Sequence, residues 1–187
     1  MRNQNVKKMV GIALLMAIVV VLQLLGSFIK FGMVEISLVL LPIVVGAAVY
    51  GPTAGAILGA TFGAVVLAQP GTVFFYDMSV LGTVLVVMVK GALSGWLAGL
   101  TYKALAPKAP VLAVALCAIV CPVVNTAVFF LGCMTFFREA LSAYSPNVAI
   151  YVITVFIGFN FVAEFLVNVV CCPVIIRLLN ILKKANK

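Results

Sequence analysis

Tyr151–Ile176 reads YVITVFIGFNFVAEFLVNVVCCPVII, an apolar run whose one charge is Glu164. A helix needs about 20 predominantly apolar residues to cross the hydrocarbon core of a bilayer, and this run meets that length while being too poor in charge for a soluble core. Gly11–Phe28 and Ile36–Tyr50 have the same character. The chain is therefore read as all-α and as an integral membrane protein.

Of 187 residues, 66% are hydrophobic, and the mean hydropathy is +1.34. That leaves room for about six spans and for no soluble domain, so a single six-helix membrane domain over residues 1–187 is expected. Breaks at Gly26-Ser27, Gly51-Pro52, Gln69-Pro70-Gly71, Pro107 to Pro110 and Ser145-Pro146-Asn147 place helices near 9–28, 35–50, 52–69, 78–104, 110–137 and 148–182. Arg2, Lys7 and Lys8 precede the first apolar stretch as in a signal peptide. The stretch is long for one and no A-x-A site follows, so it is read as a retained span.

The charges are sorted by side. Twelve Lys and Arg against four Asp and Glu give a formal charge of +8, which in a soluble protein would point to nucleic acid. Here the cations cluster at helix ends, where lipid headgroups are the counterpart, and no nucleic-acid partner is expected. With the N-terminus in the cytoplasm, six spans put Arg2, Lys7, Lys8, Lys103, Lys108, Arg177, Lys183, Lys184 and Lys187 inside and only Lys30 and Arg138 outside. This asymmetry predicts an even number of spans, with both termini cytoplasmic.

Glycines recur at four-residue spacing, at Gly51, Gly55, Gly59 and Gly63 in the third helix and at Gly91, Gly95 and Gly99 in the fourth. Each series makes a smooth stripe on one face. Lipid gives helices no hydrophobic reason to associate, so close backbone approach over small residues is the expected use of both stripes.

Polar groups inside the bilayer are costly and need a partner or a task. Lys90 stands thirteen residues before Lys103, and Glu164 thirteen before Arg177, which puts both about 20 Å from the cytoplasmic anchors at 1.5 Å per residue. Asn125, seventeen residues past Lys108, is about 25 Å deep by the same rise. Asn160 and Asn168 flank Glu164 at four-residue spacing, giving the last helix a polar face, and Glu35 stands at the outer end of the second helix. Glu35, Lys90, Asn125, Asn160, Glu164 and Asn168 are thus the candidate substrate-binding residues, open to the outside. Two readings remain for the charged pair: Lys90 and Glu164 neutralise each other, or they serve a ligand. Phe129, Phe130, Phe156, Phe159, Phe161 and Trp96 are candidate lining aromatics.

Nothing in the chain points to catalysis, since it has no His, no G-x-S-x-G, no paired acids and no metal-ligand set. Cys117, Cys121, Cys133, Cys171 and Cys172 lie in apolar runs and read as buried small thiols, with neither metal nor cofactor expected. A P-loop is also absent, so any ATPase that drives transport is another chain.

The chain resembles a substrate-binding S component of an energy-coupling factor (ECF) transporter. The resemblance is carried by Ala13-Leu14-Leu15-Met16-Ala17, an Ala-x-x-x-Ala motif, then by Val34-Glu35-Ile36-Ser37 leading to Leu41-Pro42, and by Tyr50-Gly51-Pro52-Thr53-Ala54-Gly55. Val89-Lys90-Gly91-Ala92-Leu93-Ser94-Gly95, Pro122-Val123-Val124-Asn125-Thr126 and Gly158-Phe159-Asn160 extend it along nearly the whole chain. It is nearest to the branch with riboflavin-specific members, and departs from their Asp-rich second-helix start and last-helix Lys in having Glu35 and Glu164. The resemblance implies a multi-pass subunit of a prokaryotic plasma membrane that captures a vitamin-like small molecule outside the cell. It further implies a transmembrane coupling subunit that meets Ala13 and Ala17, and two cytoplasmic ATPases. A structural or assembly subunit of a membrane complex, or an autonomous secondary transporter, are the alternatives.

Overall fold

The computed structural model describes residues 2–26, 30–31, 34–35 and 39–177, with side chains undescribed for 2–4, 30–31, 34–35 and 159–160. It is helical apart from one two-residue ladder. Helix α1 spans Arg2–Gly26, and β1 (Lys30–Phe31) pairs antiparallel with β2 (Val34–Glu35), Lys30 opposite Glu35. Helix α2 (Leu40–Tyr50) is joined to α3 (Pro52–Leu67) by Gly51 alone. Gly51 takes φ 94°, a left-handed value that glycine adopts without a Cβ penalty, and Pro52 begins the next helix with its φ already set.

After α3 the chain makes a 3₁₀ turn at Pro70–Thr72 and runs into α4 (Val73–Met78), the segment Pro70–Met78 lying bent 78° from α3. The long helices α5 (Val80–Leu105) and α6 (Pro110–Thr135) follow, then the short α7 (Arg138–Ser142) and α8 (Val148–Tyr151). Val152–Ile157 is a π-helical stretch leading into α9 (Gly158–Val170), and residues 172–177 are again helical. The Gly158 amide donates to the Ile153 carbonyl, the i→i+5 bond that marks the wider turn.

The structure corrects the expected helices at several places: the first begins at Arg2 rather than near residue 9, and a short helix, α7, stands between the fifth and the last. The second starts at Leu40 rather than at residue 35, because Val34 and Glu35 are spent on the ladder. The segment between the third and fourth holds a helix of its own, α4. The last is broken by the π stretch, with a 45° bend between Val148–Ile157 and Phe161–Val170. Among the described residues, three helices are long and apolar enough to cross a membrane, and five segments are if each bent pair counts as one.

Packing follows the sequence patterns. Helix α2 is apolar on all sides and buried from Pro42 to Ala48, as a central helix should be. It joins Val19, Leu58, Phe62, Ala98, Tyr102, Cys117 and Cys121 in the larger core cluster. Helices α3 and α5 touch through both glycine stripes. A Cβ at Gly59 would strike the Gly91 carbonyl, one at Gly55 the Gly95 carbonyl, and one at Gly63 would stand 2.9 Å from Val87 O. Two backbones in direct contact supply the close packing that lipid does not drive. A second cluster, around Val86, Cys133, Phe137, Leu141 and Val152, fills the other end of the bundle.

Candidate functional site

Between α1, α3, α5, α6 and α9, on the side of the second cluster, lies a cavity of about 180 Å³. Its mid-helix end is formed by Lys90 of α5, Asn125 of α6 and Glu164 of α9, with Phe62 and Phe161 beside them. The interlock of Gly59 with Gly91 and of Gly63 with Val87 fixes the register of α3 on α5. This puts Phe62 beside Lys90, and the Lys90 ammonium lies 5.9 Å from the Phe62 ring centre and 5.0 Å from that of Phe129. Ring faces are electron-rich, so they stabilise a cation inside an apolar wall.

Asn125 is 6% exposed, and its Oδ1 is buried without a hydrogen-bond partner. It follows Pro122, a proline inside α6 that lacks the amide proton for the helical bond of its own turn. A buried acceptor left unsatisfied costs about 1–3 kcal/mol, so its place beside a cavity calls for a donor. Glu164 is buried at 3% exposure on the face of α9 that also carries Asn168.

The middle of the cavity is apolar: Val66, Val86, Val87, Phe129, Phe156 and Ile157. Phe156 and Ile157 come from the π stretch, whose extra residue per turn resets which side chains face inward. The Phe75 ring packs against Phe129, Phe137 and Phe156 at 5.6, 5.4 and 5.3 Å, making an aromatic wall.

The other end is built where helices stop. Gln23 Nε2 donates to Gln69 Oε1 at 2.9 Å, and Gln69 Nε2 donates to the Gln23 carbonyl at 3.1 Å. The hydroxyls of Thr72 and Tyr76 donate to the carbonyls of Val66 and Leu67 at 2.6 and 2.9 Å. These donors meet carbonyls in the last turns of α1 and α3, where helical bonding runs out, and the Val66 carbonyl also accepts the Gln69 amide at 3.1 Å. Thr83 Oγ1 lies 2.8 Å from Phe75 O and 2.7 Å from Ser79 O, fastening α4 to the start of α5.

Lys90, Asn125 and Glu164 are therefore brought together. Asn168 is not on the cavity surface: it is fully buried one turn further along α9, with Nδ2 donating to the Glu164 carbonyl at 2.8 Å. Asn160 lies in α9 and Glu35 in β2, which rests against α9, and the side chains of both lie outside the described residues. Phe129, Phe156 and Phe161 line the cavity, Phe130 packs into the second cluster, and Trp96 is 41% exposed on the outer surface. The Phe159 side chain lies outside the described residues. Sequence reasoning missed Gln23, Gln69, Thr72 and Thr83. For Gln23 a signal was present, an amide within the apolar run VVVLQLLG.

Ala13 and Ala17 both lie on the exposed face of α1, next to Val10, Leu14 and Ile18, opposite the face that packs on α2 and α3. A family model described as ECF transporter, substrate-specific component, matches residues 7–176. No curated protein matches the chain.

Proposed function

The chain belongs to the family of ECF transporter substrate-specific components, and from that premise we propose that its cavity binds a vitamin or vitamin-like small molecule taken from outside the cell. Membership makes it a substrate-binding membrane subunit that associates with the components of an ECF module. The further reading is that a transmembrane coupling subunit and two ATPases drive import, with the exposed Ala13 and Ala17 as the contact with the coupling subunit.

The observation that carries the binding reading is the meeting of Lys90, Asn125 and Glu164, from three helices, at one end of a cavity whose middle is walled by Phe, Val and Ile. Buried ions and amides are costly to a small bundle, and an apolar cavity with a few convergent polar groups is the usual form of a small-molecule site. The reading takes α2, an apolar helix of 11 residues and shorter than a full span, as a sixth pass beside the five segments. With the cations distributed as above, both termini are then cytoplasmic and the Gln23–Gln69 end of the cavity faces outward.

The test is ligand-dependent stabilisation of the purified protein in detergent, with whatever co-purifies identified by mass spectrometry. A binder gains about 2.7 kcal/mol at a hundredfold excess of ligand over Kd. A structural or assembly subunit gains nothing, and that result would overturn the reading.

A further inference from the structure

Building on the binding reading above, we infer that the cavity takes a solute without net charge, neutral or zwitterionic and with a flat aromatic body, and rejects its anionic and cationic relatives. Among the described residues, the ionisable side chains on the cavity surface are Lys90 and Glu164. They sum to zero whether they meet each other or the solute.

A solute with net charge entering this space would give up water without meeting a surplus of the opposite charge. A phosphate ester or a quaternary amine is disfavoured on that ground. The Lys90 ammonium does not demand an anionic ligand, because the Phe62 and Phe129 rings already face it. A molecule with an acceptor for Lys90 and donors for Glu164 and the Asn125 amide meets all three groups and stays electroneutral.

The body of the solute is read from the walls. Phe75 stands edge-on to Phe129, with the rings 81° apart, and is tilted by 56° against both Phe137 and Phe156. Such a set offers both edges and faces to a further ring, the arrangements aromatic pairs prefer. An aliphatic chain would gain contact area there but none of this edge-to-face attraction.

The probe is the small-molecule fraction of yeast extract, separated at pH 7 on anion and cation exchangers into an uncharged flow-through, an anion eluate and a cation eluate. Each is added to the full-length protein in detergent and thermal unfolding is followed. The flow-through should raise Tm by several degrees, the eluates should not, and the stabilising component should absorb in the near ultraviolet. A rise produced by either eluate, alone or alongside the flow-through, would overturn the charge inference while leaving the binding reading standing. A stabilising component without an aromatic ring would overturn the inferred body. No rise with any fraction or with the whole extract would sink both the inference and the binding reading.

Discussion

Gln23, in the last turn of α1, and Gln69, at the turn after α3, are 46 positions apart in sequence and hold each other by two hydrogen bonds. Both are buried and both line the cavity, so the pair joins two helix ends across one end of the site.

The two positions are expected to be coupled. Gln69→Leu removes the partner of Gln23 Nε2 and the donor to the Gln23 carbonyl, and Gln23→Leu removes the donor to Gln69 Oε1. Each loss costs about 1–3 kcal/mol where the group stays buried, so either single variant should lower stability. The double variant should cost less than the sum of the singles, with a coupling of about 0.5–3 kcal/mol in a thermal-unfolding cycle. Strict additivity would mean that the pair does not act as a unit.

Lys90→Met and Glu164→Gln should each weaken solute binding tenfold or more, since a charge-assisted hydrogen bond contributes about 1.5–3 kcal/mol. Unfolding of the ligand-free protein should change little. The opposite pattern, a large loss of ligand-free stability at unchanged affinity in a titration, would establish that the two charges serve each other.

Gly59→Ala should destabilise the protein. In a helix interior alanine is ordinarily better than glycine by about 0.5–1 kcal/mol, but the added Cβ would collide with the Gly91 carbonyl, a backbone atom that cannot turn aside. A higher Tm for the variant would show that α3 and α5 are not in backbone contact.

Replacing Ala13 and Ala17 together by Trp should abolish uptake by the assembled transporter and spare binding by the isolated subunit. Both residues lie on the exposed face of α1, away from the cavity, so the added bulk meets a partner helix rather than the protein's own core. Uptake equal to wild type in vesicles that contain the full complex would move the contact elsewhere.

Reconstituted alone in liposomes, the protein should bind solute without accumulating it, under a proton or sodium gradient or none. Accumulation should begin only when the coupling subunit and ATPases are added with ATP. Concentrative uptake by the lone chain would identify a secondary transporter.

Much of the site's chemistry was legible because charge is rare in a span: Lys90 and Glu164 stand out in any apolar run, and their distance from the terminal cations gave them one level. The glycine stripes were legible for a similar reason, since four-residue spacing fixes a face. Partnership was harder to read. Periodicity places Asn168 on the same face as Glu164 but does not tell that the cavity ends a turn earlier, and an aromatic such as Trp96 suits a lipid-facing surface as well as a pocket wall. The turn at Pro70 is held by the hydroxyls of Thr72 and Tyr76 and by Gln23, 46 positions away from Gln69, which a local pattern does not contain. Gln69 read as turn punctuation for the same reason, its partner being on another helix.

The glycine interlock of α3 and α5 also bears on how such a protein can change over generations. Where two backbones touch, no side chain has room to vary, so that seam is closed to substitution, and Lys90 projects from the same helix with its position set by it. New solute preferences would have to arise on the walls made by α6, the π stretch and α9, at Asn125, Thr126, Phe129, Phe156 and Phe161, where replacement alters the cavity and leaves the seam intact.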